Sequence, residues 1–162
     1  MSGVKIGVLS DSHDDMEAIA KAVALFNAEG VVQVLHAGDI VSPFTFEIFR
    51  ELRAPLGGVY GNNDGDRLLL RERCGGALHV QPHFVTLVGL RGVIVHEPPL
   101  VGALARSGDF DFVVYGHTHL PDVRVEGGCL VVNPGKAARL HTGRATVALL
   151  ETETREARIV DL

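Results

Sequence analysis

The chain has 162 residues, of which 46% are apolar and 22% charged, a balance that excludes disordered and fibrous classes and fits one globular domain over 1–162. Its formal net charge of -5 weighs against stable nucleic-acid binding, which needs a basic face, but leaves room for a phosphate substrate whose charge is met by bound metal. Nineteen glycines point to many tight turns between short elements.

The first element is an apolar, β-branched run from Val4 to Ser10, which predicts a buried strand ending at Asp11-Ser12-His13-Asp14. Met16, Ile19, Val23 and Phe26 then recur at helical spacing, and Gly30 stops that helix. A second strand runs from Val31 to His36 and ends in Ala37-Gly38-Asp39. Ser42 and Pro43 have the chemistry of an N-cap and first residue, so they open a second helix with Phe46, Phe49 and Leu52 on its apolar stripe. A third strand, Leu56 to Tyr60, leads into Gly61-Asn62-Asn63-Asp64, and a charged helix covers Arg67 to Arg73. Three repeats of strand, polar turn and helix imply parallel strands joined by helical crossovers.

The second half changes character. Phe84 to Leu87, Val93 to His96, Phe112 to Tyr115, Val123 to Val125, Leu130 to Val132, Thr146 to Leu150 and Ala157 to Val160 are short runs, several separated by Gly or Pro. They predict mostly antiparallel strands, with one helix near Leu100 to Arg106.

Ligands of open α/β sheets gather at the carboxyl ends of strands. Asp11, Asp39 and Asn62 fall at such ends, and so do His96 and the pair His117 and His119. The spacing of two in Asp11/His13 and His117/His119 would turn both side chains to one side of an extended backbone. Imidazole, carboxylate and carboxamide together suit Mn, Fe, Ni or Zn better than Ca or Mg. Taken singly, each residue has a plainer reading: Asp11 or Asp39 as a helix cap, Asn62 as a turn residue, His96 as a satisfied core histidine.

In this order, Asp11-x-His13, Gly38-Asp39, Gly61-Asn62-x-Asp64, His96 and Gly116-His117-x-His119 resemble the calcineurin-like metallophosphoesterases, and more closely their small bacterial and archaeal phosphodiesterase branch. Asn133-Pro134-Gly135 also resembles a turn common in that branch. The resemblance implies an α/β sandwich of two mixed β-sheets flanked by helices. It implies two divalent ions, Mn or Ni first and Fe or Zn after them. Asp11, His13 and His119 would hold one ion, Asn62, His96 and His117 the other, and Asp39 both. Asp39, Asn62, Asn63, Asp64 and His96 are the residues it brings to catalysis, with Asp64 orienting an Asn or His. The implied reaction is hydrolysis of a small phosphodiester or phosphomonoester by in-line attack of a hydroxide bridging the ions. The alternative is a protein-interaction scaffold of the same fold with a degraded metal site.

Three positions depart from the pattern: Asn63, where larger relatives carry His and small ones often Cys; Lys136, where the branch carries Ser; and Glu97-Pro98-Pro99 after His96, where relatives show Gly and another His. An amide at 63 cannot act as a general acid near neutral pH. Lys136 is expected in solvent, as are Arg67, Arg71 and Arg73 on a solvated helix face, and Asn133 is read as a turn residue. His36 is a candidate to support a ligand from behind, whereas His79, His83 and His141 have no ligand spacing. Cys74 and Cys129 read as inert thiols. No apolar run approaches a membrane span and Met1 to Ser10 lacks a signal-peptide pattern, so a cytoplasmic enzyme is expected, with a homo-oligomer left open.

Overall fold

The computed structural model describes residues 3–162. Its first sheet has six strands, β1 (Lys5–Leu9), β2 (Gln33–His36), β3 (Leu56–Val59), β4 (Leu78–His79), β10 (Thr146–Glu151) and β11 (Glu156–Asp161), in the order β11-β10-β1-β2-β3-β4. The second has five, β5 (His83–Leu87), β6 (Leu90–Ile94), β7 (Phe112–Val114), β8 (Pro121–Glu126) and β9 (Cys129–Pro134), in the order β5-β6-β7-β9-β8. Helices α1 (Met16–Glu29), α2 (Phe46–Phe49), α3 (Arg67–Arg73) and α4 (Val101–Arg106) flank them. Both sheets are mixed, as expected.

Period-two alternation sorts the strand residues into layers. Ile6, Val8, Leu35 and Val59 of the first sheet meet Ile94, Phe112, Val114 and Val132 of the second in one core between the sheets. The opposite faces carry Leu9, Val34 and Tyr60 against Ile19, Phe26, Phe49 and Leu70 of the first three helices, and Val93, Val113 and Val131 against Val101 and Ala105 of α4. The result is four layers, α/β/β/α. Each fully buried large side chain contributes about 1.5–3 kcal/mol, so the two sheets are held in a fixed relation and their strand ends with them.

Strands β1, β2, β3 and β4 run parallel, with β10 antiparallel to β1. The second half is mostly antiparallel, as expected, through β5–β6, β8–β9 and β10–β11, but β6, β7 and β9 are parallel to one another. Helix α4 is a crossover between β6 and β7, and such a connection returns the chain in the same direction. Strand β4 escaped sequence reading, since two residues carry no periodicity. The second helix is also less regular than expected. A 3₁₀ turn over Pro43–Thr45 precedes α2, and Ser42 makes no capping bond, because its hydroxyl donates to Asp14 Oδ2 at 2.6 Å. Helix α1 is capped by Asp15, whose Oδ1 accepts from Ala18 N at 3.0 Å, and ends at Gly30 with φ of 65°. Among the described residues no helix is long and apolar enough to cross a membrane.

Candidate metal centre

The parallel strands of both sheets present their carboxyl ends on one side, and the loops beyond them carry all seven expected ligands. The loops are tied together by backbone bonds: Asp11 N donates to Gly38 O at 2.9 Å and His13 N to Asp39 O at 3.2 Å. Close approach requires glycine at two points. A Cβ on Gly61 would overlap the Asp39 carboxylate, and one on Gly116 would overlap Ser10 Oγ and Asp11 Oδ2.

The side chains converge in two overlapping groups. In the first, His119 Nε2 lies 3.1 Å and His13 Nε2 3.5 Å from Asp11 Oδ1. In the second, Asn62 Oδ1 lies 2.8 Å from His96 Nε2 and 3.0 Å from His117 Nδ1, and the two ring nitrogens are 3.3 Å apart. Asp39 Oδ2 stands between the groups, 3.5 Å from both His13 Nε2 and His96 Nε2. Asp11, Asp39 and His96 are buried on the floor, while Asn62, His117 and His119 stand exposed at the rim.

This donor set fits a metal. Nitrogen and oxygen ligands about 2.1 Å from an ion lie about 3.0–3.5 Å from one another, close to the separations in both groups. His96 Nδ1 is 2.7 Å from Ala37 O, which can only accept, so Nδ1 carries the proton and Nε2 is left with a bare lone pair. That lone pair faces Asn62 Oδ1 and Asp39 Oδ2, two further acceptors, an arrangement that lacks a donor unless a cation lies among them. His13 Nε2 is buried without a hydrogen-bond partner. Protonation is the other way to relieve such crowding. The Asp11 carboxylate raises the pKa of His13; at His96 burial pulls downward, but Asp39 and the Ala37 carbonyl outweigh it. Burial would raise Asp39, yet His96 and Asn63 hold it well below the usual carboxylate range. The carboxylates are thus ionised and available to a cation.

The route by which paired ligands reach one side differs from the extended backbone expected. Asp11, His13, Asp39, His117 and His119 all have left-handed φ, between 39° and 70°. Such conformations cost about 1–3 kcal/mol each for a residue with a Cβ, and persist where the surroundings over-determine them. Here Ser10 Oγ donates to Asp11 Oδ2 at 2.5 Å and His117 N to the same oxygen at 2.9 Å.

Asp64 lies at the centre, but it orients neither an Asn nor a His side chain. Its carboxylate accepts from Asp39 N (2.9 Å), Gly61 N (2.7 Å) and Val41 N (2.7 Å), so it staples two loops through their backbones. Asn63 is turned onto Asp39: its backbone N donates to Oδ1 and its Nδ2 to Oδ2, both at 2.8 Å. His36 does sit behind the ligands. Gly38 N donates to its Nδ1 at 3.1 Å, so its Nε2–H donates to Ser12 Oγ at 2.9 Å, and burial lowers its pKa to about 3.

Several supporting residues went unread in the sequence or were assigned to solvent. Asn133, expected first as a turn residue, donates from Nδ2 to Gly116 O at 3.1 Å and Thr118 Oγ1 at 3.0 Å, bracing the His117–His119 loop. Arg67 is exposed, as expected, but also donates to Asp64 O and Gly61 O and stacks over Tyr60. Gln81 Oε1 accepts from His96 N at 2.7 Å and Glu97 N at 3.2 Å, fixing the segment that departs from the family pattern. Lys136 is buried rather than in solvent. Cys129 is buried, which pushes its thiol up to about 11, in keeping with an inert role.

A model of the calcineurin-like phosphoesterase superfamily domain matches residues 4–155. The chain belongs to that superfamily. It is 36% identical to the phosphodiesterase MJ0936 of Methanocaldococcus jannaschii over 98% of this chain and 99% of that protein. It is 29% identical to a probable metallophosphoesterase of Methanothermobacter thermautotrophicus, over 96% of this chain and 91% of that protein. The solved structure of an archaeal phosphodiesterase superposes with a TM-score of 0.92 at 36% identity, covering 98% of this chain and all of that one. Membership of this metallophosphoesterase superfamily implies divalent metal ions, and Asp11, His13 and His119, together with Asp11, Asp39 and His96, are candidate groups to hold them.

Proposed function

We propose that the protein hydrolyses small phosphodiesters with two divalent ions. The observation that carries this reading is the convergence of ligand atoms: Asn62 Oδ1 lies 2.8 Å from His96 Nε2 and 3.0 Å from His117 Nδ1, and Asp39 Oδ2 lies 3.5 Å from His96 Nε2. Asp11, His13 and His119 would hold one ion, Asn62, His96 and His117 the other, with Asp39 Oδ2 shared. The 36% identity to a protein named a phosphodiesterase supports a diester as substrate. When bound, the ions would supply an acidified water and neutralise charge on the phosphate oxygens. The protein contributes position. Asn63 holds both oxygens of Asp39, Asp64 and Arg67 fix the Asn62 loop, and Asn133 fixes the loop of His117 and His119. The exposed rim of Asn62, His117 and His119 is the side from which an ester can reach the buried floor. The mixed nitrogen and oxygen set favours Mn or Ni, followed by Fe or Zn.

The test is turnover of bis(4-nitrophenyl) phosphate and 4-nitrophenyl phosphate by metal-stripped protein reloaded with Mn, Ni, Zn or Mg. Chelator-sensitive hydrolysis, faster on the diester and best with Mn or Ni, is the expected result. No turnover with any metal would overturn the reading and favour the scaffold alternative.

A further inference from the structure

Beside the metal centre lies a separate small cavity of about 150 Å³, lined by His119, Lys136, Thr142, Arg144 and Thr146 among others. His119 is common to both: its Nε2 faces Asp11, and its ring forms one wall of the cavity. Lys136 lies two residues beyond the end of β9 and is only 6% exposed. Its backbone is fixed, since Thr146 N donates to Lys136 O at 2.9 Å and the next residue, Ala137, donates to Ser10 O at 2.8 Å.

The cavity is cationic and lacks an internal counter-charge. The Lys136 ammonium donates to the Leu140 carbonyl and, among the described residues, pairs with no carboxylate, although an ammonium has three donors. The neighbouring cations are committed elsewhere: Arg139 to Asp15 and Glu17, and Arg144 to Asp161 through Nε at 2.5 Å. No acidic residue lines the cavity. A buried ammonium with one neutral acceptor and no counter-charge is costly, and an anion entering the cavity would relieve that cost. The volume is well below the roughly 300–1,000 Å³ of pockets that take a drug-sized ligand, so it suits a terminal group rather than a nucleoside.

We propose that this cavity is a substrate subsite in which Lys136 binds a second anionic group, a carboxylate or phosphate carried by the phosphodiester a few bonds from its reacting phosphorus. The proposal rests on the phosphodiesterase reading of the metal centre. It makes the preferred substrates phosphodiesters with an anionic end, and Lys136 the residue that selects them.

Non-hydrolysable phosphonates of matched length test this by calorimetry on Mn-loaded protein. Propylphosphonate has an apolar end, 3-phosphonopropanoate a carboxylate and ethane-1,2-diphosphonate a second phosphonate. Wild type should bind at least one of the doubly anionic probes about 10- to 100-fold more tightly than propylphosphonate, the worth of a charged hydrogen bond; whichever gains more identifies the group. In K136M, which keeps the buried stem, that ratio should fall to about one, while K136R should retain most of it. A ratio near one in wild type, or an unchanged ratio in K136M, would overturn the subsite. Turnover of bis(4-nitrophenyl) phosphate, which has no anionic end, reports the metal centre separately. Turnover without an anion preference sinks the subsite alone, whereas absence of both turnover and phosphonate binding sinks the two readings together.

Discussion

Replacing Asn63 by Ala removes one hydrogen bond from the oxygen that both ligand groups share. The backbone N of residue 63 still donates to Asp39 Oδ1, so the carboxylate keeps half its support. Oδ2 loses the 2.8 Å bond from Asn63 Nδ2, and Oδ2 is the atom 3.5 Å from both His13 and His96. A hydrogen bond to a charged group contributes about 1.5–3 kcal/mol, or about 10- to 150-fold. Residue 63 is at the surface, so water can partly replace the amide, which sets the effect toward the lower end. Asn63→Ala should therefore lower Mn affinity and kcat/KM on bis(4-nitrophenyl) phosphate by about 10- to 50-fold, as loss of a ligand's supporting partner does elsewhere. Both ions should weaken together in a calorimetric titration. An effect below threefold, or a loss confined to one ion, would refute the shared role of Oδ2.

Asp39→Asn should cost at least about tenfold more activity than His13→Ala. Both Asp39 oxygens accept from Asn63, so an amide at 39 sets its NH₂ against an N–H donor in either orientation, besides losing the charge facing two histidines; equal, mild effects would count against this. With its amide bound to Asp39, Asn63 has no proton to give a leaving group, so rates should fall steeply as leaving-group pKa rises. Asn63→His should flatten that dependence, by about 10²-fold for the poorest leaving groups if the imidazole acts as general acid; a shallow wild-type slope would point to another donor. His36, with a pKa lowered by burial to about 3, gains its proton far more readily when unfolded, near pH 6.5. Metal-free protein should accordingly lose about 2 kcal/mol through this residue between pH 7 and pH 5. His36→Gln should show a shallower loss in denaturation titrations over that range, and parallel curves would contradict the assignment.

The candidate site was legible at the strand ends because Asp11, Asp39, Asn62, His96, His117 and His119, all residue types able to bind metal, stand in short polar turns after apolar runs. Spacing alone misled on how they aim. Alternation along a strand explains paired ligands two apart, but the loops use left-handed backbone at Asp11, His13, His117 and His119, which no side-chain pattern reveals. Residues that act on backbone atoms were the hardest to read. Asp64, Asn133 and Gln81 bond to peptide groups of loops distant in sequence, and a side chain's appetite for a backbone donor leaves no periodic mark. Lys136 is expected in solvent from its residue type, and tertiary packing overrides that preference. The helix near Leu100 to Arg106 was legible, but the parallel direction of β6, β7 and β9 depends on how distant strands pair, which no local pattern encodes.

We propose that seven side chains form two metal sites that share one carboxylate. Metal content answers it most directly. Purified protein is stripped with chelator, loaded with Mn or Ni, freed of excess by gel filtration and subjected to elemental analysis, alongside His96→Ala and His119→Ala. Two ions per wild-type chain and about one in each variant are expected, with the two variants losing different sites. One ion or fewer in wild type, or no change in either variant, would contradict it.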